Sequence, residues 1–214
     1  MKTTILLSIL LSISFAIQDD DIVKIDEHIS SVVTQDSGKK IEIKRVQNVD
    51  NRLIDDFAKT SRPCPPFCIQ PTKVDPNINN VAELEIFKFM ENQIKNHKGV
   101  LIDARLKSWF ELETIPSAIN IPYQTLLNSS KKKISKIFQL LGMKIESSGN
   151  WNFDDAKELT IFDNGPWCSQ ATYLVKTLRK YNYPTSKIHY YRSGLQGWKL
   201  LGLTTVIHKE IIKD

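Results

Sequence analysis

Three cysteines are the most reactive side chains in this sequence, and their spacing separates a pair from a single residue. Cys64 and Cys68 lie four residues apart in a proline-rich segment, and Cys168 stands alone far downstream. In an oxidising compartment an odd number of cysteines leaves one thiol over or forces an intermolecular bond. Cys64 and Cys68 could pair if the intervening prolines turn, and Cys168 would then be a free thiol available for nucleophilic chemistry.

The residues before Cys168 are typical of an anion-binding loop that opens a helix. Asn164-Gly165 permits positive φ, so backbone N–H groups can turn inward and form a nest. A helix beginning near Ser169 would add the partial positive charge of its N-terminus. We therefore expect the pKa of Cys168 to lie modestly below the free-cysteine value of about 8.5, with the nearby carboxylate of Asp163 opposing this effect. The alternative is a buried structural cysteine.

Alternating strands and helices must position this loop. Short apolar runs predict strands at 100–102, 159–162 and 188–191, and helical periodicity predicts a helix from about 81 that Gly99 closes. Further helices are expected in these segments: 126–127, 134–141, 171–181 and 196–201. This order indicates an α/β domain whose central sheet is mainly parallel, with helices on both faces. Ligands of such sheets bind at the carboxyl ends of the strands, and Cys168 follows one of those ends.

The N-terminal part of the chain reads differently. Residues 1–16 combine Lys2, an apolar run and a small-residue cleavage site, which predicts a secretory signal peptide and a periplasmic or otherwise exported protein. The pattern of residues 17–80 predicts an N-terminal extension. It contains one hairpin, with its turn at 35–38, and then the Pro/Cys-rich segment. The net charge of +5 is spread along the chain, with no aromatic interleaving that would suggest nucleic acid. We expect no stable membrane insertion once the signal peptide is removed, because no later segment is apolar enough to span a bilayer.

Residues 81–214 resemble a rhodanese-like domain. The resemblance rests on Leu101-Ile102-Asp103-Ala104-Arg105, on Thr114-Ile115-Pro116-Ser117-Ala118-Ile119-Asn120-Ile121-Pro122, and on Ile188 to Trp198 after the loop. More narrowly, residues 60–71 together with Asn164-Gly165-Pro166-Trp167-Cys168 are similar to a bacterial periplasmic rhodanese-like group. The resemblance implies a three-layer fold, and sulfurtransferase chemistry in which a loop cysteine takes a sulfane sulfur from a donor and passes it to a thiol acceptor.

The active loop of the resemblance is the six residues Asp163, Asn164, Gly165, Pro166, Trp167 and Cys168. In the family the nucleophile is the first loop residue, but Asp163 stands there and Cys168 is the sixth. Cys168 is therefore the candidate catalytic residue of a sulfurtransferase or persulfide carrier. Asp103 and Arg105 are expected to hold loops together, and Arg192 to face the active loop with positive charge.

Two other functions remain open from the sequence. Asp163 favours a non-catalytic rhodanese-like interaction or regulatory module, because a carboxylate cannot carry sulfur. Alternatively, Cys64 and Cys68 form a dithiol/disulfide couple of a thiol-redox protein. The four histidines have no ligand-like spacing, so we expect neither a metal site nor a cofactor.

Overall fold

The computed structural model describes residues 22–209, so the predicted signal peptide at 1–16 lies outside the described residues. In the described range the strands are β1 Ser31–Asp36, β2 Lys39–Lys44, β3 Asn79–Asn80, β4 Gly99–Asp103, β5 Ala118–Asn120, β6 Lys144–Ile145, β7 Trp151–Asn152, β8 Glu158–Phe162 and β9 Ile188–Tyr191. The helices are α1 Glu83–Phe89, α2 Lys107–Leu112, α3 Thr125–Asn128, α4 Lys131–Leu140, α5 Gln170–Lys180 and α6 Gly194–Leu200. No helix within 22–209 is long and apolar enough to cross a membrane.

A five-stranded sheet in the order β3-β9-β8-β4-β5 forms the centre of the domain. Every neighbouring pair in it is parallel. The three strands predicted from the sequence are β4, β8 and β9, and they lie side by side in this sheet, which confirms the predicted α/β architecture. Because the strands are parallel, their carboxyl ends meet at one edge, where a ligand site is expected.

Two apolar layers cover the sheet, one on each face. Alternate residues of a strand point to opposite faces, so Ile102 joins the core beneath α3, α4 and α5, whereas Leu101 joins the core beneath α1 and α6. The largest fully buried side chain is Trp198 of α6, in the second of these layers. The domain therefore has three layers, with helices on both faces as expected.

The end of the first helix differs from the prediction. α1 continues as a π-helical segment, Met90–Ile94, and the positive φ of 58° lies at His97. Gly99 does not close the helix, because it is the first residue of β4. A Cβ atom at position 99 would lie 2.6 Å from the Cβ of Gln93 and 2.7 Å from the ring of Phe89, so glycine is needed there for close packing of strand against helix.

The N-terminal extension packs against the same core. The predicted hairpin is present, with Ser37 and Gly38 at φ values of 48° and 79° in its two-residue turn. Val32 and Ile43 bury their side chains in the apolar layer that holds Trp198. β3 then adds the edge strand beside β9. These contacts bring the segment that follows the hairpin to the carboxyl edge of the sheet.

Candidate functional site

The loop between β8 and α5 lies at the carboxyl edge of the sheet. The start of α6 packs against one side of it through backbone hydrogen bonds. The N–H of Leu195 donates to the Asp163 carbonyl and the N–H of Gln196 donates to the Asn164 carbonyl, both at 2.9 Å. Gly194 has a φ of +57°, and a Cβ atom there would lie 2.4 Å from the Asp163 carbonyl oxygen. Glycine is therefore required for α6 to begin this close to the loop.

Asp163 fills the centre of the loop with its own carboxylate. The side chain is completely buried, Oδ1 accepts the N–H of Gly165 at 3.1 Å, and Oδ2 accepts the N–H of Ala171 at 2.8 Å. Burial raises the pKa of Asp163 to about 7, and the two backbone hydrogen bonds oppose that rise. One N–H group of the loop and one of the first turn of α5 therefore point at a carboxylate, and this carboxylate belongs to the protein itself.

Cys168 is a free thiol and is 5% exposed. Its Sγ accepts from the Asn164 side-chain amide at 3.8 Å. Burial, followed by the negative charge of Asp163, raises the pKa of Cys168 to about 12. The expected lowering of this pKa is wrong, because desolvation of the thiolate outweighs the backbone N–H groups that favour it.

The two supporting residues predicted from the sequence form a buried ion pair. Arg105 Nη2 lies 2.7 Å from Asp103 Oδ2, and both side chains are almost completely buried. Arg105 also donates from Nη1 to the Asn164 Oδ1 at 3.3 Å, and Thr114 donates to Asp103 at 2.8 Å. The pair thus ties the end of β4 to the active loop, and breaking such a pair typically costs about 3–5 kcal/mol.

The Pro/Cys-rich segment covers the loop. Cys64 and Cys68 form a disulfide with each other, which is one of the pairings that the sequence left open. Phe67 meets the Trp167 ring edge-on, with centroids 5.6 Å apart, and the guanidinium of Arg62 lies 3.9 Å from the Trp167 centroid. We call residues 55–70 the cover, because they lie across the outer side of the active loop.

Polar contacts fasten the cover on its other side. The N–H of Gln70 donates to the Pro166 carbonyl at 2.7 Å, and Arg192 donates to the Gln70 carbonyl from Nε and Nη2 at 3.1 and 2.9 Å. Gln196 accepts from Trp167 Nε1 and donates to the Phe57 carbonyl, each at 2.8 Å. Arg192 was predicted to offer charge to the active loop, and the hydrogen bonds it makes go to the cover.

A cavity of about 300 Å³ lies between the cover and the loop. Its lining combines aromatic and aliphatic groups with two guanidinium groups and several carboxylates. The lining residues are Asp55, Asp56, Phe57, Arg62, Phe67, Arg105, Trp109, Leu112, Glu113, Asn164, Trp167 and Leu195.

The structure brings together most of the residues predicted for the site, and it adds others. Asp163, Asn164, Cys168 and Arg105 meet at one edge of the sheet. The contributions of Arg62 and Phe67 were not foreseen individually, although both belong to the segment that carried the narrower resemblance. Within the described part of the chain, no three His, Cys, Asp or Glu side chains form a group that could hold a metal ion.

Comparison with known proteins identifies the family. A family profile, the Rhodanese-like domain, matches residues 88–201, and no curated protein matches significantly. Similar solved structures include a Bacillus halodurans protein (15% identity, 64% of this chain and 84% of that chain, TM-score 0.41). A single-domain sulfurtransferase of Saccharomyces cerevisiae is 20% identical over 57% of this chain and 89% of that chain, with a TM-score of 0.40. A thiosulfate sulfurtransferase from Pseudomonas aeruginosa is 16% identical over 62% of this chain and 21% of that chain, with a TM-score of 0.42. Because the profile covers more than half of the 214 residues and includes β4, the active loop and α6, this protein belongs to the rhodanese-like domain family.

Proposed function

We propose that this protein is an exported rhodanese-like binding module. In this proposal no residue of its active loop forms a persulfide. The observation that carries the proposal is the position of Asp163. Its carboxylate takes the N–H groups of Gly165 and Ala171, which in sulfurtransferase chemistry would stabilise a thiolate or persulfide. A carboxylate oxygen forms no persulfide. The loop therefore keeps the N–H groups that would stabilise an anionic sulfur but lacks the cysteine nucleophile at position 163.

The state of Cys168 supports the same proposal. Burial raises the pKa of Cys168 to about 12, so the neutral thiol is the predominant form at pH 7. Attack on a sulfane sulfur requires the thiolate, and it also requires access for the donor. A side chain that is 5% exposed beside a buried carboxylate meets neither condition. The cavity beside the loop, in contrast, is open to a ligand and is lined by Asn164 and Trp167 of the loop itself.

Sulfur transfer through Cys168 is the second candidate, and one observation favours it. Cys168 lies beside Asp163, whose pKa of about 7 suits a general base at neutral pH. Asp163 would take the thiol proton, and the thiolate would attack the outer sulfur of thiosulfate. A new S–S bond would form on Cys168, the S–S bond of thiosulfate would break, and sulfite would leave with the electron pair. The persulfide sulfur would then pass to an acceptor thiol.

Mass spectrometry after incubation with thiosulfate distinguishes the two candidates. We expect the wild-type protein to gain no sulfur atom. Asp163→Cys should gain one at position 163, because the backbone N–H groups of Gly165 and Ala171 would then lie beside a thiol. Asp163→Ser is the matched control and should gain none. A persulfide on the wild-type protein that disappears in Cys168→Ser would establish the second candidate instead.

The export part of the proposal rests on the leader-like residues 1–16 and on the Cys64–Cys68 disulfide, which suits an oxidising compartment. Intact-mass measurement on protein taken from the native cell envelope should find a chain that lacks residues 1–16. A chain that begins at Met1 would contradict cleavage.

A further inference from the structure

The walls of the cavity between the cover and the loop are mainly apolar. The apolar lining residues are Phe57 and Phe67 of the cover together with Trp109, Leu112, Trp167 and Leu195. A volume of about 300 Å³ is the space of roughly ten water molecules, at about 30 Å³ each, and lies at the lower end of the range for small-molecule sites. These walls favour a compact ligand with an apolar body, because burying that body releases water from both surfaces.

The cavity wall contains hydrogen-bond donors that have no acceptor within the described part of the protein. Arg62 has a side chain only 8% exposed, and among the described residues its Nε is a buried polar atom without a hydrogen-bond partner. Its Nη1 donates to the Asp56 carboxylate at 3.1 Å and its Nη2 donates to the Asp56 carbonyl at 2.5 Å, so Nη2 retains one N–H group besides the free Nε. Arg105 uses Nε and Nη2 on Asp103 and Glu113, but its Nη1 makes a single contact, to Asn164, and so retains one N–H. Two guanidinium groups in one small cavity therefore have unused N–H groups.

The acceptors in the same wall already have partners. Lys199 bridges the carboxylates of Asp55 and Glu113, and Glu113 also accepts from Thr205 at 2.8 Å. Asp56 pairs with Arg62, and its side chain is 82% exposed. A ligand in the cavity therefore satisfies the remaining hydrogen-bonding groups best if it supplies acceptors to the two guanidinium groups.

We infer that this cavity binds a small organic carboxylate with an apolar body, and that Arg62 of the cover is the residue that recognises the carboxylate. This inference deepens the proposed binding function and rests on it. A planar carboxylate fits the edge of a guanidinium group with two parallel hydrogen bonds, and the free Nε of Arg62 lies on such an edge. An inorganic anion would leave the aromatic walls in contact with water, and the loop amides that would hold it are taken by Asp163.

Titration calorimetry on the mature protein with four probes tests this inference. Phenylacetate has the proposed chemistry, phenylacetamide removes its charge, phenethylamine reverses it, and thiosulfate removes the apolar body. We expect phenylacetate to bind at least tenfold more tightly than each of the other three. Preferential binding of phenethylamine would show that the carboxylates of the wall select the ligand, and equal binding of phenylacetamide would remove the role of charge; either result overturns the inference.

Variants of Arg62 connect the binding to this residue. Arg62→Gln should weaken phenylacetate binding at least tenfold, and Arg62→Lys should also weaken it, because a lysine keeps the charge but lacks the planar donor edge. Arg52→Gln is the matched control, since Arg52 is exposed in the same extension and does not line the cavity. Circular dichroism establishes that each variant is folded. Unchanged binding in folded Arg62→Gln overturns the inference.

The two proposals fail separately. A persulfide on Cys168 after thiosulfate treatment would contradict the binding-module proposal whether or not phenylacetate binds. If neither a persulfide nor phenylacetate binding is found, the proposed ligand class is wrong and the absence of sulfur chemistry still stands.

Discussion

Asp163 shows how one side chain determines which anion a loop holds. The strand, the glycine-containing turn and the helix N-terminus provide aimed N–H groups, and these groups stabilise whatever anion lies among them. Here they hold a carboxylate that burial keeps partly protonated near neutral pH. The same carboxylate disfavours the Cys168 thiolate, whereas the hydrogen bond with Cys168 favours ionisation of Asp163.

Replacing Asp163 should change how stability depends on pH. The pKa of Asp163 is raised from 3.8 to about 7, so its stabilising contribution is complete below pH 4 and is lost as the pH rises through 7. The loss is at most about 4 kcal/mol, from about 1.4 kcal/mol for each pKa unit. Urea unfolding of the wild-type protein should therefore show a decline in stability between pH 4 and pH 7, and Asp163→Asn should remove most of it.

Asp50→Asn is the control for this experiment, because Asp50 is exposed in the extension. The wild-type pH dependence should persist in that variant. An unchanged pH slope in Asp163→Asn would show that Asp163 is ionised in both the folded and the unfolded protein over this range.

At the scale of elements, the site depends on the start of α6. The first N–H groups of that helix donate to two loop carbonyls, which is possible only because Gly194 lets the two backbones approach. The ion pair between Asp103 and Arg105 holds the other side of the loop through Asn164. The loop is thus held between β4 and α6, and the cover closes it from outside.

Gly194→Ala should destabilise the protein by about 3 kcal/mol or more. The alanine would combine a positive φ, costing about 1–3 kcal/mol, with a contact of 2.4 Å to a backbone oxygen that cannot move freely. Gly149→Ala is the matched control, since Gly149 has a φ of +84° and nothing within 4 Å of the added Cβ, and should cost only the backbone strain. Denaturant midpoints measure both effects. Equal losses would show that the close approach of α6 is not required.

At the scale of the whole molecule, the N-terminal extension contributes both to the core and to the site. Its hairpin supplies Val32 and Ile43 to the layer around Trp198, β3 extends the sheet, and the cover forms one wall of the cavity. The family match begins at residue 88, so these parts lie outside the matched region. The extension therefore adds side chains of its own to the wall of a cavity beside the active loop.

A chain of residues 81–214 should therefore fold poorly compared with residues 17–214. Removing the extension exposes apolar surface around Trp198 and Phe87, and burial of such surface is worth about 25 cal/mol per Å². We expect the shorter chain to lose cooperative thermal unfolding and near-ultraviolet circular dichroism. If the shorter chain unfolds cooperatively at the same denaturant midpoint as the longer chain, the extension contributes nothing to the stability of the domain.

The sequence alone determined the central strands, the hairpin, the loop and the family, because each depends on residues close together in the chain. Runs of three or four mainly apolar residues predict β4, β8 and β9, and turn residues predict the hairpin and the loop. The end of α1 was misjudged because a glycine after a helix is typical of a C-terminal cap, whereas Gly99 serves close packing instead.

Only the tertiary structure decided the chemistry of the site. The pKa of Cys168 depends on its burial and on the carboxylate beside it, and local loop composition suggested the opposite direction. Arg62 and Trp167 are far apart in the chain and meet only because the extension folds back over the carboxyl edge of the sheet. Desolvation and long-range contacts are properties of the packed molecule, so they decide which of the loop's possible anions is present and what the neighbouring cavity can bind.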